Sequence, residues 1–437
     1  MSDSQLSLKL FMENFFLLIW RRWSIFIGHL KSGNWIAILY IMKKVCLRFM
    51  SLLLYPVGFL LVIFIRLIRP WLLVRINILT SERIGHFAAN TELYLCERDA
   101  GINVPDCRYV DLWYHNWPIC NEQLARMWGR VLHVGPRCLL GAVDRVNASI
   151  PGGEAHGMGN NTRSDVDVLN LLDRFPPHLS FLPEEEKRGV AGLRLLGVPE
   201  GVRFVCLIVR DSSYLNEVIP WREWTHHDYR DCNIQNYTLA AQELVERGYF
   251  VIRMGVVVKE AMNIDHPMII DYASNGMRSD FMDIYLGAKC AFCISNSTGF
   301  DAVPYIFRRP LLFVDVAPLG PIRTENEKFI NTCKKYWLRN EERFMTFQEI
   351  FNSGAAYLTV SSNFDNLGID LIESTPEEIA AVVLEMEERL QGTYEAMEED
   401  EKLQRCFWEL FPRHEMHGEI RSRMGADYLR RNKALLA

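Results

Sequence analysis

Apart from Cys290-Ala291-Phe292-Cys293 the chain lacks CxxC pairs or regular spacing among its eleven cysteines, and it shows no internal repeat and no low-complexity tract. The first absence argues against a disulfide framework and a structural zinc site. Cys206, Cys290 and Cys293 lie in apolar runs, where they read as small buried hydrophobes in a reducing compartment. Missing repeats and ordinary globular composition set aside solenoids and disorder. Acidic residues are scarce at one end: residues 1–75 carry only Asp3 and Glu13 against ten Lys/Arg. That segment has a net charge of +8, and the rest of the chain carries -14 of the overall -6. A basic, apolar N-terminus on an acidic body suits an anionic membrane surface and does not suit nucleic acid.

A long clean apolar run is also missing. Residues 49–65 pass without a charge, but these seventeen residues contain Pro56 and Gly58 and fall at the short limit for a span of about 20 residues. Arginines flank both ends, so charge bias assigns no orientation. The expectation is a re-entrant or interfacial segment, with the upstream stretches LFMENFFLLIWRRW and WIAILYIMKK lying in the headgroup region. A cleaved signal peptide is not expected, because the long apolar run starts late and no small-residue cleavage site follows it. The alternative is a buried core hairpin.

After this segment the chain alternates between strand and helix patterns. WLLVRINIL reads as a strand, FAANTELYLCERD as a helix, RYVDLWYH and NEQLARMWGR as a second strand and helix, and PGGEAHGMGNNTRSD as a long loop. Proline-rich sequence around a charged helix marks a boundary near residue 183. Beyond it RFVCLIVR, YFVIRMG, MIIDYA, CAFCIS and PLLFVDV are nearly all apolar, as strands of a parallel sheet covered on both faces must be. TPEEIAAVVLEMEERL opens on a capping box with Thr375 at the cap and Glu378 three residues on. The expected fold class is therefore α/β, divided as 1–68, 69–183, 184–374 and a helical 375–437.

Ligands of open α/β sheets lie beyond the carboxyl ends of the strands, which directs attention to the residues after each strand. Arg210, Asp211 and Ser212 follow the first C-terminal strand, and Arg253 follows the second. Arginine suits bidentate binding of phosphate. The competing account pairs Arg210 and Arg253 with Asp211 and Asp271 as structure. Arg278 precedes the next helix, where Ser279 or Asp280 reads as an N-cap. Ser295, Asn296, Ser297, Thr298 and Gly299 form the densest cluster of hydroxyls and backbone donors; the loop departs from GxGxxG and GxxxxGKS, and its alternative is an ordinary capped loop. Pro304 shifts that helix's N-cap to Asp301. In the N-terminal half His86 comes after the first strand, with Asn90 and Glu92 on the helix behind it. A histidine there suits deprotonation of an acceptor hydroxyl, or is a satisfied structural residue. Asp165-Val166-Asp167 matches a metal-binding DxD but is better explained as capping of a helix by Ser164 or Asp165, so no obligatory metal is expected.

The stretches RIGHFAANTELYLCERDAG, VRDSSY, DYRDCNIQNY, GYFVIRMG, IIDYASNGMRSDFMDIYLGAKCAFCISNSTG and TPEEIAAVVLEM resemble a bacterial family of surface-polysaccharide glycosyltransferases. The TGFDA element is also similar to capsule-type Kdo transferases. The resemblance implies two Rossmann-like domains facing across a cleft (GT-B), with acceptor on 69–183 and nucleotide-sugar donor on 184–374. It implies donor binding by Arg210, Ser212, Arg253, Arg278 and residues 295–299, a base at His86 or Asp211, and acceptor contacts at Asn90 and Glu92. No cofactor is expected beyond the nucleotide-sugar substrate; the acceptor is a glycan or lipid-linked glycan, and the place is the cytoplasmic face of the inner membrane. Transfer of a non-sugar group such as pyruvate, and a non-catalytic scaffold, are the alternatives.

Overall fold

The computed structural model describes residues 53–158, 165–213 and 224–437, with the single positions Ile38, Ile41, Met42 and Glu217. The expectations for residues 1–52, for Ser164 and for most of the Gly/Asn-rich loop end lie outside the described residues.

Helix α1 (Tyr55–Leu67) leads through residues 68–72 into strand β1 (Leu73–Leu79). Helix α2 (Ile84–Asp99), β2 (Tyr109–His115), α3 (Glu122–Trp128), β3 (His133–Val134) and α4 (Arg137–Ala148) come next. The three strands form one parallel sheet in the order β1-β2-β3. Its faces are covered differently: α1 and α4 supply Val62, Ile65 and Val143 to one side, against Val74, Ile76 and Tyr114. Helices α2 and α3 supply Phe87, Leu95, Leu124 and Trp128 to the other.

Helix α5 (Pro183–Leu195) crosses to the second sheet, built from β4 (Phe204–Ile208), β5 (Phe250–Arg253), β6 (Ile269–Asp271), β7 (Cys293–Ser295), β8 (Leu311–Val316), β9 (Phe329–Cys333) and β13 (Arg423–Met424). Between them run α6 (Thr238–Glu246), α7 (Asp280–Lys289) and α8 (Ala302–Ile306). All strand pairs in this sheet are parallel, in the order β13-β9-β8-β7-β4-β5-β6. The chain thus moves outward one way from β4 through β5 and β6, then returns to lay β7 on the opposite side of β4. That reversal is a topological switch point, where the loops after β4 and β7 diverge and leave a crevice.

The pleat explains the apolar strands. Val205 and Leu207 point to the face covered by α6 and by α11 (Pro376–Gln391), while Phe204 and Cys206 point to the opposite core. That second core is continuous with the one beneath α2 and α3, so the two sheets share an apolar interior between them while each keeps a separate cluster on its other face. Arg308, in the left-handed region at φ 59°, adds a polar tie by donating to Glu92 of α2 and to the carbonyls of Leu172 and Phe175.

Between β9 and α11 lies an antiparallel sheet of β10 (Lys335–Leu338), β11 (Arg343–Phe344) and β12 (Ile369–Ile372), interrupted by α9 (Phe347–Asn352) and α10 (Ser361–Asn366). Helix α11 carries the expected capping box at Thr375 and Glu378, and packs on α6 and the large sheet. Helices α12 (Glu398–Leu410) and α13 (Ala426–Arg431) flank β13. Among the described residues no helix is long and apolar enough to cross a membrane.

Candidate functional site

The switch point gathers side chains from three segments. After β4, the backbone N–H of Arg210 donates to Asn296 Oδ1 at 2.8 Å, and Asn296 Nδ2 donates to the carbonyl of Arg230 at 3.1 Å. Buried Asn296 therefore stitches the β4 and β7 exits to a 3-10 segment, Thr225–Arg230. Arg230 in turn donates to the carbonyl of Ser297. The segment is braced from the antiparallel insertion: Ser361 accepts from the Tyr229 N–H at 3.2 Å, and Tyr229 lies against the ring of Phe364.

Two guanidinium groups meet here, and a carboxylate pairs with one of them. Arg210 Nε lies 3.3 Å from Asp231 Oδ1. Burial, and then the neighbouring charge of Arg230, lower the Arg210 pKa. Burial pushes the Asp231 carboxyl up to about 6 against the pull of Arg210, and the charges of Asp228 and Asp211 add to the rise. Arg210, desolvated and only partly matched by Asp231, together with the neighbouring Arg230 guanidinium, offers charged donors suited to the phosphate oxygens of a diphosphate.

Helix α2 enters from the small sheet. A Cβ on Gly85 would come within 3.2 Å of Gly299 Cα, so the backbones of the two halves touch where His86 begins the helix. His86 Nδ1 lies 3.4 Å from Asn90 Oδ1, one turn on. Asp165 completes the group. Burial disfavours its charge, but Arg323, His86 and Arg230 together hold the carboxyl below its ordinary value. Arg323 is anchored by Asp165 O at 2.6 Å and Glu325 Oε1 at 3.2 Å. One carboxylate thus feels cations from both halves.

Several expected residues have other work. Arg253 is 1% exposed and donates to Asp271 Oδ2 at 2.9 Å and to the Glu260 carbonyl, because Asp271 is its register partner on β6. Arg278 pairs with Asp283 at 2.6 Å, and Ser279 caps α7 by accepting from Met282 N. Asp211 does not pair with Arg210; its two oxygens accept from the backbone N–H groups of Ser213 and Lys259. Glu92 is fully buried between Arg308 and His178. Buried Asn90 lies one turn beyond His86, with its Oδ1 beside His86 Nδ1. Ser212 is half-buried in the loop leaving β4.

The loop 295–301 also departs from expectation. Ser295 is buried, donating to Asp301 Oδ2 at 2.9 Å and accepting from Thr298 N, so it shapes the turn. Asp301 stands at the N-cap position and Pro304 within the first turn, as expected, but α8 has only five residues and no side-chain cap. So short a helix does not make a strong helix-terminus anion site. Ser297, in the left-handed region at φ 63°, Thr298 and Gly299 are the members that reach the surface. The DxD opens no helix: residues 165–175 form turns, with Asp167 accepting from Leu171 N and Leu172 N.

Arg230, Asp165 and Arg323 are the members that strand-exit reasoning passes over. DYRD belongs to the stretches carrying the family resemblance, but no strand precedes it. Among the described residues, two clusters have metal-ligand composition, Glu92–Cys96–His178 and Cys232–Asp315–Glu373. Each already holds a cation: Arg308 Nη2 lies 2.7 Å from Glu92, and Lys334 Nζ lies 3.8 Å from Glu373.

No family model and no curated protein matches the chain. Among solved structures it is similar to a glycosyl transferase family 9 protein from Veillonella parvula, with 11% identity and a TM-score of 0.41 over 74% of this chain and 98% of that one. It is similar to ADP-heptose LPS heptosyltransferase II of E. coli, with 15% identity and a TM-score of 0.29 over 56% and 86%. A Listeria monocytogenes protein named for UDP-N-acetylglucosamine 2-epimerase is similar with 9% identity and a TM-score of 0.26 over 74% and 90%. Likeness this loose assigns no residue and no activity.

Proposed function

We propose that this protein is a GT-B-like glycosyltransferase. It moves a sugar from a nucleotide-sugar donor to a lipid-linked or polysaccharide acceptor of a bacterial surface glycan, at the cytoplasmic face of the membrane. The observation that carries the reading is the convergence of Arg210 and Arg230 at the switch point, beside the α2 terminus that presents His86. In this reading the two guanidinium groups hold the donor's diphosphate and stabilise the charge that develops on it as the glycosidic bond breaks. Ser297 and Thr298 add hydroxyls at the rim. His86, with Nδ1 held toward Asn90, keeps Nε2 for the proton of the attacking acceptor hydroxyl, and the Asp165 carboxylate stabilises the imidazolium that results. The sequence resemblance supports the same class.

The test is a screen of labelled nucleotide sugars against the purified protein with a membrane acceptor fraction. Transfer is expected with one donor, and His86→Ala is expected to lower kcat by about 10²–10⁴ with donor affinity retained. A folded protein that binds no nucleotide or nucleotide sugar refutes the transferase reading and leaves the scaffold.

A further inference from the structure

We infer that the outward face of α1 is a lipid-docking surface, seated in the headgroup and upper acyl region of an anionic bilayer. The helix is 13 residues, about 20 Å at 1.5 Å per residue, too short to span. Its inner face is already used. Val62 and Ile65 enter the core against β1, and a Cβ on Gly58 would meet the Ala142 carbonyl carbon of α4 at 3.3 Å. Standing upright in a membrane would tear this face from the sheet.

Among the described residues the outer face has no such covering. Val57, Leu60, Phe64 and Leu67 recur at helical spacing along one stripe that ends near Trp71, and their exposures run from 44% to 74%. A continuous apolar stripe of that kind on a soluble surface marks an interaction site. The partner is identified by charge and shape. Residues 1–75 carry +8 on a chain whose remainder carries -14, so a second copy of the same face would be repelled and an anionic surface attracted. Arg69 is exposed beside Trp71, giving the aromatic and cationic rim that favours the interface. Arg66, by contrast, is turned inward onto Asn147 and the carbonyls of Ile150 and Pro151.

The docking sets an orientation. The short connection 68–72 makes α1 run antiparallel to β1, so its first turn lies at the strand-exit edge, the edge where His86 stands. The bilayer surface then borders the acceptor side of the crevice. The docking itself does not depend on the reaction assigned above.

Hydroxyl-radical footprinting of the full chain, with and without vesicles of phosphatidylglycerol and phosphatidylethanolamine, tests the surface. Expected is severalfold loss of oxidation at Leu60, Phe64, Leu67 and Trp71 on vesicle binding, with exposed Leu195 of α5 unchanged. Replacing Leu60, Phe64 and Leu67 together by Ser should weaken vesicle binding by about a hundredfold, without lowering Tm, because none of the three enters the core. The inference is overturned if these side chains are already protected without lipid, which would mean that residues 1–52 cover them. It is equally overturned if they stay reactive on bound vesicles, or if the triple variant binds as tightly as the native chain.

Discussion

The large sheet places arginines at two pairs of strand exits, and the two pairs have opposite fates. At β5 and β6, Arg253 and Asp271 are register partners on adjacent strands, and Arg253 is shut from solvent with its charge matched. At β4 and β7 the chain reverses direction, no carboxylate sits in register beside Arg210, and a second guanidinium arrives from Arg230. The same residue type after the same kind of strand is structural in one place and a candidate ligand in the other. What separates them is distance from the switch point and the identity of the residue on the neighbouring strand.

Removing Arg253 should produce the largest effect and should fall on stability. Arg253→Ala leaves Asp271 without its partner and opens the interior, a loss of about 3–5 kcal/mol, measured by urea denaturation. The fraction that remains folded should bind nucleotide as before. A stable variant with weakened nucleotide binding would abolish the distinction between the two pairs.

Arg230→Ala should do the reverse. Its side chain is half-buried in a 3-10 segment whose position is also held by Ser361 and Asn296, so the fold should survive. Loss of one charged hydrogen-bonding group should weaken nucleotide-diphosphate binding by about 2 kcal/mol, roughly thirtyfold, as read by calorimetry. Unchanged affinity would remove the diphosphate from this crevice.

The difference between these arginines was only half legible in the sequence. The apolar strands, the parallel sheet and the capping box at Thr375 are local signals, written in period and composition, and the structure carries them. Whether Arg253 is free depends on which strand lies beside it, and the register Arg253↔Asp271 is a long-range fact. Helix α4, β9, β13 and the antiparallel insertion were illegible for related reasons. Strands β11 and β13 have two residues each, and a strand of that length is specified by its neighbour, not by its own pattern. The three-stranded N-terminal sheet stops short of the expected Rossmann-like unit because its α2 and α3 face is completed by the core of the other sheet. Arg230 reaches the site from a 3-10 segment about twenty residues beyond β4 in the chain, where no period points to it.

The smallest effect concerns Asp231, the carboxylate that Arg210 approaches. Its pKa is about 6 in the folded chain and near 3.9 unfolded, so protonation favours the folded state. The stability it contributes is complete below the unfolded value and is lost as pH rises through about 6. The same proton governs binding. Above pH 6 the ionised Asp231 competes for Arg210; below it the guanidinium is released to a phosphate. A nucleotide sugar, whose diphosphate diester does not titrate in this range, should bind about threefold to tenfold more tightly at pH 5 than at pH 7. Asp231→Asn should bind at pH 7 as tightly as the native chain does at pH 5. Any pH dependence left in that variant belongs to other groups. If the native chain and the Asn variant show the same pH profile and the same affinity at pH 7, Asp231 does not restrain Arg210.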